Sequence, residues 1–128
     1  MALRGSKKTE QVSILEKITT HKENGLMEII INGNLNIHSI DLLEFKFRDI
    51  LSESGTFNTI AVNCENIDSI DSSGLGMLIS LSKQAEKNSL KFYLCNPNRK
   101  VTTLFDISNL DRYFNITDIE ELRQTLHR

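Results

Sequence analysis

Three short apolar runs, residues 26–31, 57–64 and 91–95, each lead through a turn-forming cluster into a stretch with apolar residues at helical spacing. That alternation constrains the fold more than any other feature of the chain. A hairpin cannot join two strands separated by a helix, so these strands must run parallel through crossovers, which are right-handed almost without exception. Ile40, Leu43, Phe47, Ile50 and Leu51 mark one amphipathic helix, with Ser39 or Asn36 placed to cap it and Gly55 beyond its end. Leu75, Leu78, Ile79, Leu81 and Ala85 mark a second, ending near Asn88. Val101, Leu104 and Phe105 mark a third, ending near Ser108. For a fourth, with the stripe Ile119, Leu122 and Leu126, Thr117 and Glu120 have the spacing of a capping box. Residues 12–18 and 26–31 flank Asn24-Gly25, a dipeptide suited to a tight hairpin, and residues 19–23 read as a lengthened loop. Residues 113–116 read as a short last strand. Within residues 57–64, Ile60 and Val62 point to one face and the small Ala61 to the other, leaving room there for a helix. The expected fold class is α/β: a mostly parallel sheet of four to five strands with an antiparallel N-terminal edge strand and about four helices.

Composition narrows the function. With 128 residues and 39% hydrophobic content, residues 9–128 suffice for one domain with a layered core. Residues 1–8 read as a tail, since Gly5-Ser6 beside a start is a common cloning scar. Fifteen Lys and Arg against 17 Asp and Glu give a net charge of −2, which offers no broad attraction to nucleic acid or acidic lipid. Cys64 and Cys95 are unclustered and lie in apolar runs, as expected of reduced core thiols and not of a disulfide framework or a zinc site. The apolar runs are too short to span a bilayer, and no signal-peptide core is present, so a cytoplasmic location is expected.

In such a sheet the loops at residues 33–39 and 65–73 emerge at the same edge, where α/β proteins usually bind their ligands. Asn36, His38, Asp68, Asp71, Ser72 and Ser73 are thereby expected to converge. Asp71-Ser72-Ser73-Gly74 followed by a helical pattern describes a helix N-terminus. Its minimal role is a cap, worth about 1 kcal/mol. A helix N-terminus also presents unpaired N–H groups and positive potential, which suit an anion or a phosphate on one of its own serines. Other chemistries fit less well. Gly74-Leu75-Gly76 lacks the third glycine and the lysine of nucleotide-binding loops. Ser72 and Ser73 lack the Gly-x-Ser-x-Gly frame of a hydrolase, although His38 could lie nearby as a base. Residues 19–25 supply only Glu23 where an aspartate-phosphorylated receiver needs an acidic pair for magnesium. No catalytic residue, metal or cofactor is therefore assigned, and serine phosphorylation by another protein remains.

Asp71-Ser72-Ser73-Gly74-Leu75-Gly76 after one strand, with Gly33-Asn34-Leu35-Asn36 after another, resembles the STAS domain family of bacterial anti-sigma factor antagonists. The resemblance runs from about Val12 to Leu126. It implies a partner switch in which Ser72 is phosphorylated by an anti-sigma factor that is also a serine kinase, and reset by a metal-dependent serine phosphatase. The unmodified antagonist would bind the anti-sigma factor and free the sigma factor for transcription. Ser69 and Ser73 are nearby hydroxyls, and Ser72 is preferred by its place in the motif. The implied partner surface comprises Asn36, His38, Asp68, Asp71, Ser73, Gly74 and Met77, the last equally readable as a core methionine. Asn36 stands where the family commonly carries aspartate, so it can hydrogen-bond but carries no charge. Two alternatives remain: a STAS scaffold or transport-accessory protein without phosphorylation, and a small enzyme using Ser72 with His38.

Overall fold

A computed structural model of the chain describes residues 17–127 apart from 54 and 111. In chain order the described residues form β1 (Ile18–Glu23), β2 (Leu26–Ile31), β3 (Gly33–Leu35), α1 (Ile40–Leu51), β4 (Thr59–Asn63) and β5 (Ile67–Ile70). They continue with α2 (Ser72–Lys87), β6 (Lys91–Cys95), α3 (Arg99–Ile107), β7 (Ile116–Thr117) and α4 (Ile119–His127). The main sheet has the order β1-β2-β4-β6-β7, with β1 antiparallel to β2 and every other pair parallel. The expected mixed sheet with one antiparallel edge is thus present.

The hairpin differs from the sequence reading. β1 occupies residues 18–23, most of them read as loop, and residues 12–16 of the expected first strand lie outside the described residues. Asn24 and Gly25 both have positive φ (51° and 78°), as a two-residue hairpin turn requires, and Glu23 pairs directly with Leu26. Only Ile18 of β1 is buried. An edge strand whose side chains are nearly all polar and exposed offers no alternation from which to read it.

The alternation of β4 does position the layers as expected. Ile29, Ile60, Val62 and Leu94 meet Leu43 and Phe47 of α1, Leu78 and Leu81 of α2, and Val101 and Phe105 of α3 in one core. On the opposite face Leu26, Ala61 and Cys95 pack against Ile119 and Leu122 of α4, so the small Ala61 does leave room for a helix. Glu28 also lies on the α4 face, only 1% exposed. Its Oε2 accepts from Asn63 Nδ2 at 3.0 Å, and its Oε1 accepts from Arg123 Nη2 at 2.5 Å. Arg123 also pairs with Glu120.

Two caps differ in detail. Asp118, not Thr117, caps α4: its Oδ1 accepts the N–H groups of Glu120 and Glu121 at 2.8 and 3.2 Å. β7 claims Thr117, shifting the short strand from residues 113–116 to 116–117. Ser39 occupies the N-cap position of α1 but makes no side-chain cap bond. Its hydroxyl instead accepts from Asn36 N and donates to Asn34 O, closing the loop that leads into the helix.

Both cysteines are free and buried. Burial pushes the Cys64 and Cys95 thiols up to about 12, with the neighbouring Cys95 adding to the effect on Cys64 and Glu28 to that on Cys95. Folded thiols should therefore be inert to a thiolate-specific disulfide reagent at pH 8, and two should react when denaturant is added. The same shifts fix a sign for stability. Between about pH 9 and 12 the unfolded chain releases thiol protons that the folded chain retains, so stability should fall as pH rises through that window.

Candidate functional site

The edge expected to carry the site is built on paired strands where the sequence suggests two loops. β3 and β5 pair in parallel as a separate two-stranded sheet, with Asn34 opposite Ser69 and Leu35 opposite Ile70. Side chains reinforce the ladder: Ser69 Oγ donates to Asn34 Oδ1 at 2.7 Å, and Asn66 Nδ2 donates to Asn32 Oδ1 at 2.9 Å. Past the end of the ladder, Asp71 N donates to Leu35 O at 3.3 Å. Asn36 and the Asp71-Ser72 pair, far apart in sequence, thus leave the ribbon side by side. The period-2 asparagines Asn32, Asn34 and Asn36 were the available signal for β3, but such short polar strands give no hydrophobic alternation.

At the start of α2, Asp71 is extended (φ −113°, ψ −175°) and its Oδ1 accepts Gly74 N–H at 2.9 Å. The aspartate therefore does cap the helix. Among the described residues, the N–H groups of Ser72 and Ser73 have no protein acceptor. Gly74 lets this first turn approach β3, since a Cβ placed there would lie 2.3 Å from Leu35 O.

The nearby serines differ in availability. Ser69 is exposed but its hydroxyl is engaged by Asn34. Ser73 is half-buried, whereas Ser72 is exposed and its hydroxyl has no partner among the described residues. Asp68, Asp71 and His38 are exposed, and Asn36 is half-buried. Asn36 Oδ1 accepts His38 N–H at 2.9 Å, a role an aspartate would fill equally, so the amide keeps the loop's geometry without its charge. Among the described residues no hydrogen bond joins His38 to Ser72, and no group of three or more His, Cys, Asp or Glu is placed to hold a metal ion. Met77 is half-buried and packs on the main core. No helix of the described residues is long and apolar enough to cross a membrane.

The STAS domain profile matches residues 17–127. The chain belongs to the STAS domain family. A Staphylococcus aureus relative named anti-sigma-B factor antagonist is 26% identical over 105 residues, covering 82% of this chain and 95% of its own. A Thermotoga maritima protein, provisionally named an anti-sigma factor antagonist, is 31% identical over 99 residues, 76% of this chain and 86% of its own. Among solved structures, the anti-sigma factor antagonist SpoIIAA in its unphosphorylated form superposes with a TM-score of 0.70 at 22% identity, covering 87% of this chain and 97% of its own. The phosphorylated form of the Bacillus protein gives 0.66 at 22% identity, covering 85% and 98%. These last two likenesses are of fold.

Proposed function

We propose that this STAS domain is an anti-sigma factor antagonist whose hold on its anti-sigma factor is released by phosphorylation of Ser72. The carrying observation is the state of the serines: at the shared edge Ser72 is exposed with an unengaged hydroxyl, at the open N-terminus of α2. In this reading the anti-sigma factor is itself the serine kinase, and a metal-dependent serine phosphatase resets the switch. The protein is a cytoplasmic binding partner and not a catalyst. The names of the two relatives support the antagonist role.

Physical chemistry supports the switch. A phosphate on Ser72 would bring roughly −1.5 to −2 charges to a helix terminus whose free N–H groups and dipole tolerate them. The fold need not change: the unphosphorylated and phosphorylated SpoIIAA structures both superpose on this chain. An apposed partner surface, by contrast, must desolvate the dianion and meets its repulsion wherever carboxylates face it. In this reading the partner surface is drawn from the exposed His38, Asp68 and Asp71 and the half-buried Asn36, Ser73 and Met77, with the buried Gly74 in the first turn of α2.

Ser72→Asp should weaken binding to the anti-sigma factor at least about tenfold, or ~1.4 kcal/mol, while the melting curve stays near that of the wild type. Calorimetric titration against the anti-sigma factor reads this directly; equal affinities would refute the mechanism. Site-localising mass spectrometry on protein from its native cells, before and after stress, should find one phosphate on Ser72 with changing occupancy. The neutral Asn36 favours one second reading, a constitutive STAS scaffold, and a phosphate-free protein under all conditions would select it.

A further inference from the structure

β5 delivers Ser72 to the edge, yet among the described residues it has one strand neighbour, β3, and the pairing is three residues long with an irregular register. A two-stranded ribbon of that size is marginal in water without further support. Leu35 and Ile67 anchor the ribbon in the main core, and polar support at the start of β5 comes from Asn98, the residue before α3. Asn98 Oδ1 accepts Val101 N–H at 3.2 Å and so caps that helix. The other half of the same amide faces the turn between β4 and β5. Asn98 Nδ2 donates to Ile67 O at 2.6 Å and lies 3.3 and 3.4 Å from the Glu65 and Cys64 carbonyls. With two hydrogens on that nitrogen, the short bond to Ile67 O takes one and the other two carbonyls share the second.

Ile67 is the first residue of β5, and Ser72 follows it after four further residues of strand and cap. Ile67 N also donates to Cys64 O at 3.3 Å, closing the turn that Asn98 spans. The bonds at the two ends of β5 are therefore complementary: Asn98 holds its start, and Leu35 O accepts from Asp71 N just past its end. The root of Asn98 is itself fixed, because Asn96, two residues earlier, accepts Ile119 N–H at 2.9 Å and ties the same turn to α4.

We propose that Asn98 is a positioning residue for the switch, its side-chain amide holding the start of β5 so that Asp71 and Ser72 are presented at a fixed place. The proposal rests on the reading of Ser72 as the phosphoacceptor and extends it to a residue on another element. A capping role alone would leave the donor half of the amide irrelevant, and substitution can separate the two halves. Asn98→Ser keeps a good cap acceptor but has no group that reaches Ile67 O. Asn98→Asp keeps the cap and turns a carboxylate oxygen toward three carbonyls. Asn98→Ala removes both functions.

The experiment is NMR hydrogen exchange on the full chain, with thermal melting alongside and Ser72 phosphate occupancy measured in the native cells. Asn98→Ser should melt close to wild type, exchange the amides of residues 67–71 at least tenfold faster, and carry several-fold less phosphate on Ser72. Asn98→Asp should do the same more strongly. Unchanged exchange at residues 67–71 in both variants would overturn the proposal and leave Asn98 as a cap. Faster exchange with wild-type phosphate occupancy would also overturn it, since β5 would then move without consequence for the site. A wild type that never carries phosphate would remove the Ser72 reading instead, and the exchange rates alone would then decide whether Asn98 positions the edge.

Discussion

Gly74→Ala should lower the melting temperature by roughly 6–12 °C, the equivalent of about 2–3 kcal/mol for an overpacked site in a domain of this size. The added methyl would sit 2.3 Å from Leu35 O, 2.9 Å from Leu35 Cγ and 3.0 Å from Leu35 C. Backbone cannot swing aside as the end of a flexible side chain can. Either α2 retreats or β3 does, and Leu35, 1% exposed, is the buried residue that anchors β3. The Asp71 N–H to Leu35 O bond joins the same two segments, so relief of the clash also loosens the Ser72 edge. Gly76→Ala supplies the control, because a Cβ there meets nothing within 4 Å. Inside a helix that exchange should instead stabilise by about 0.5–1 kcal/mol. Two alanines two residues apart are thus expected to move the melting curve in opposite directions. Calorimetry checks this, and equal shifts would refute the close approach of α2 to β3.

The same contrast shows what the sequence made legible. The second glycine of Gly74-Leu75-Gly76 is free and the first is not, but nothing local separates them; only Leu35, some 40 residues earlier, does. Features whose cause is local were readable. The Asn24-Gly25 turn, the β-branched runs, the helical stripes and the two-faced pattern around Ala61 all reflect short-range geometry, and the parallel order of β2, β4 and β6 follows from the helices between them. The placement of Asn36 beside Asp71-Ser72 followed from that order as well. Features that depend on partners elsewhere were not readable. β1 is polar because it is an exposed edge, and β3 and β5 are defined by each other and by Asn98. Thr117 has capping-box spacing, but its backbone is taken by β7 and the cap passes to Asp118. Glu28 is the sharpest case. It sits within an apolar run, and its counterion lies 95 residues away.

That ion pair carries the second large expectation: Arg123→Ala should destabilise the fold by about 2–4 kcal/mol. Glu28 is 1% exposed and the Arg123 side chain 36%, so the carboxylate bears most of the desolvation while the guanidinium stays partly screened. The expected cost is therefore placed toward the lower side of the range for breaking a fully buried pair. Removing the guanidinium leaves Glu28 with Asn63 as its remaining hydrogen-bond partner among the described residues, on the sheet face where Leu26, Ala61, Cys95, Ile119 and Leu122 cluster. The hydrogen bond from Arg123 to Glu28, which also holds the arginine more firmly in its charged form, ties α4 directly to β2. Glu120→Ala is the comparison, since that carboxylate is 65% exposed and its loss should cost no more than about 1 kcal/mol. A double variant, Glu28→Gln with Arg123→Leu, should recover more than half of the Arg123→Ala loss. A neutral amide needs no counterion and can still accept from Asn63 Nδ2. Chemical denaturation of the four proteins decides the matter. If Arg123→Ala and Glu120→Ala cost the same, the pair is a surface contact only; if Arg123→Ala is costly and the double variant is not, the penalty belongs to the stranded charge.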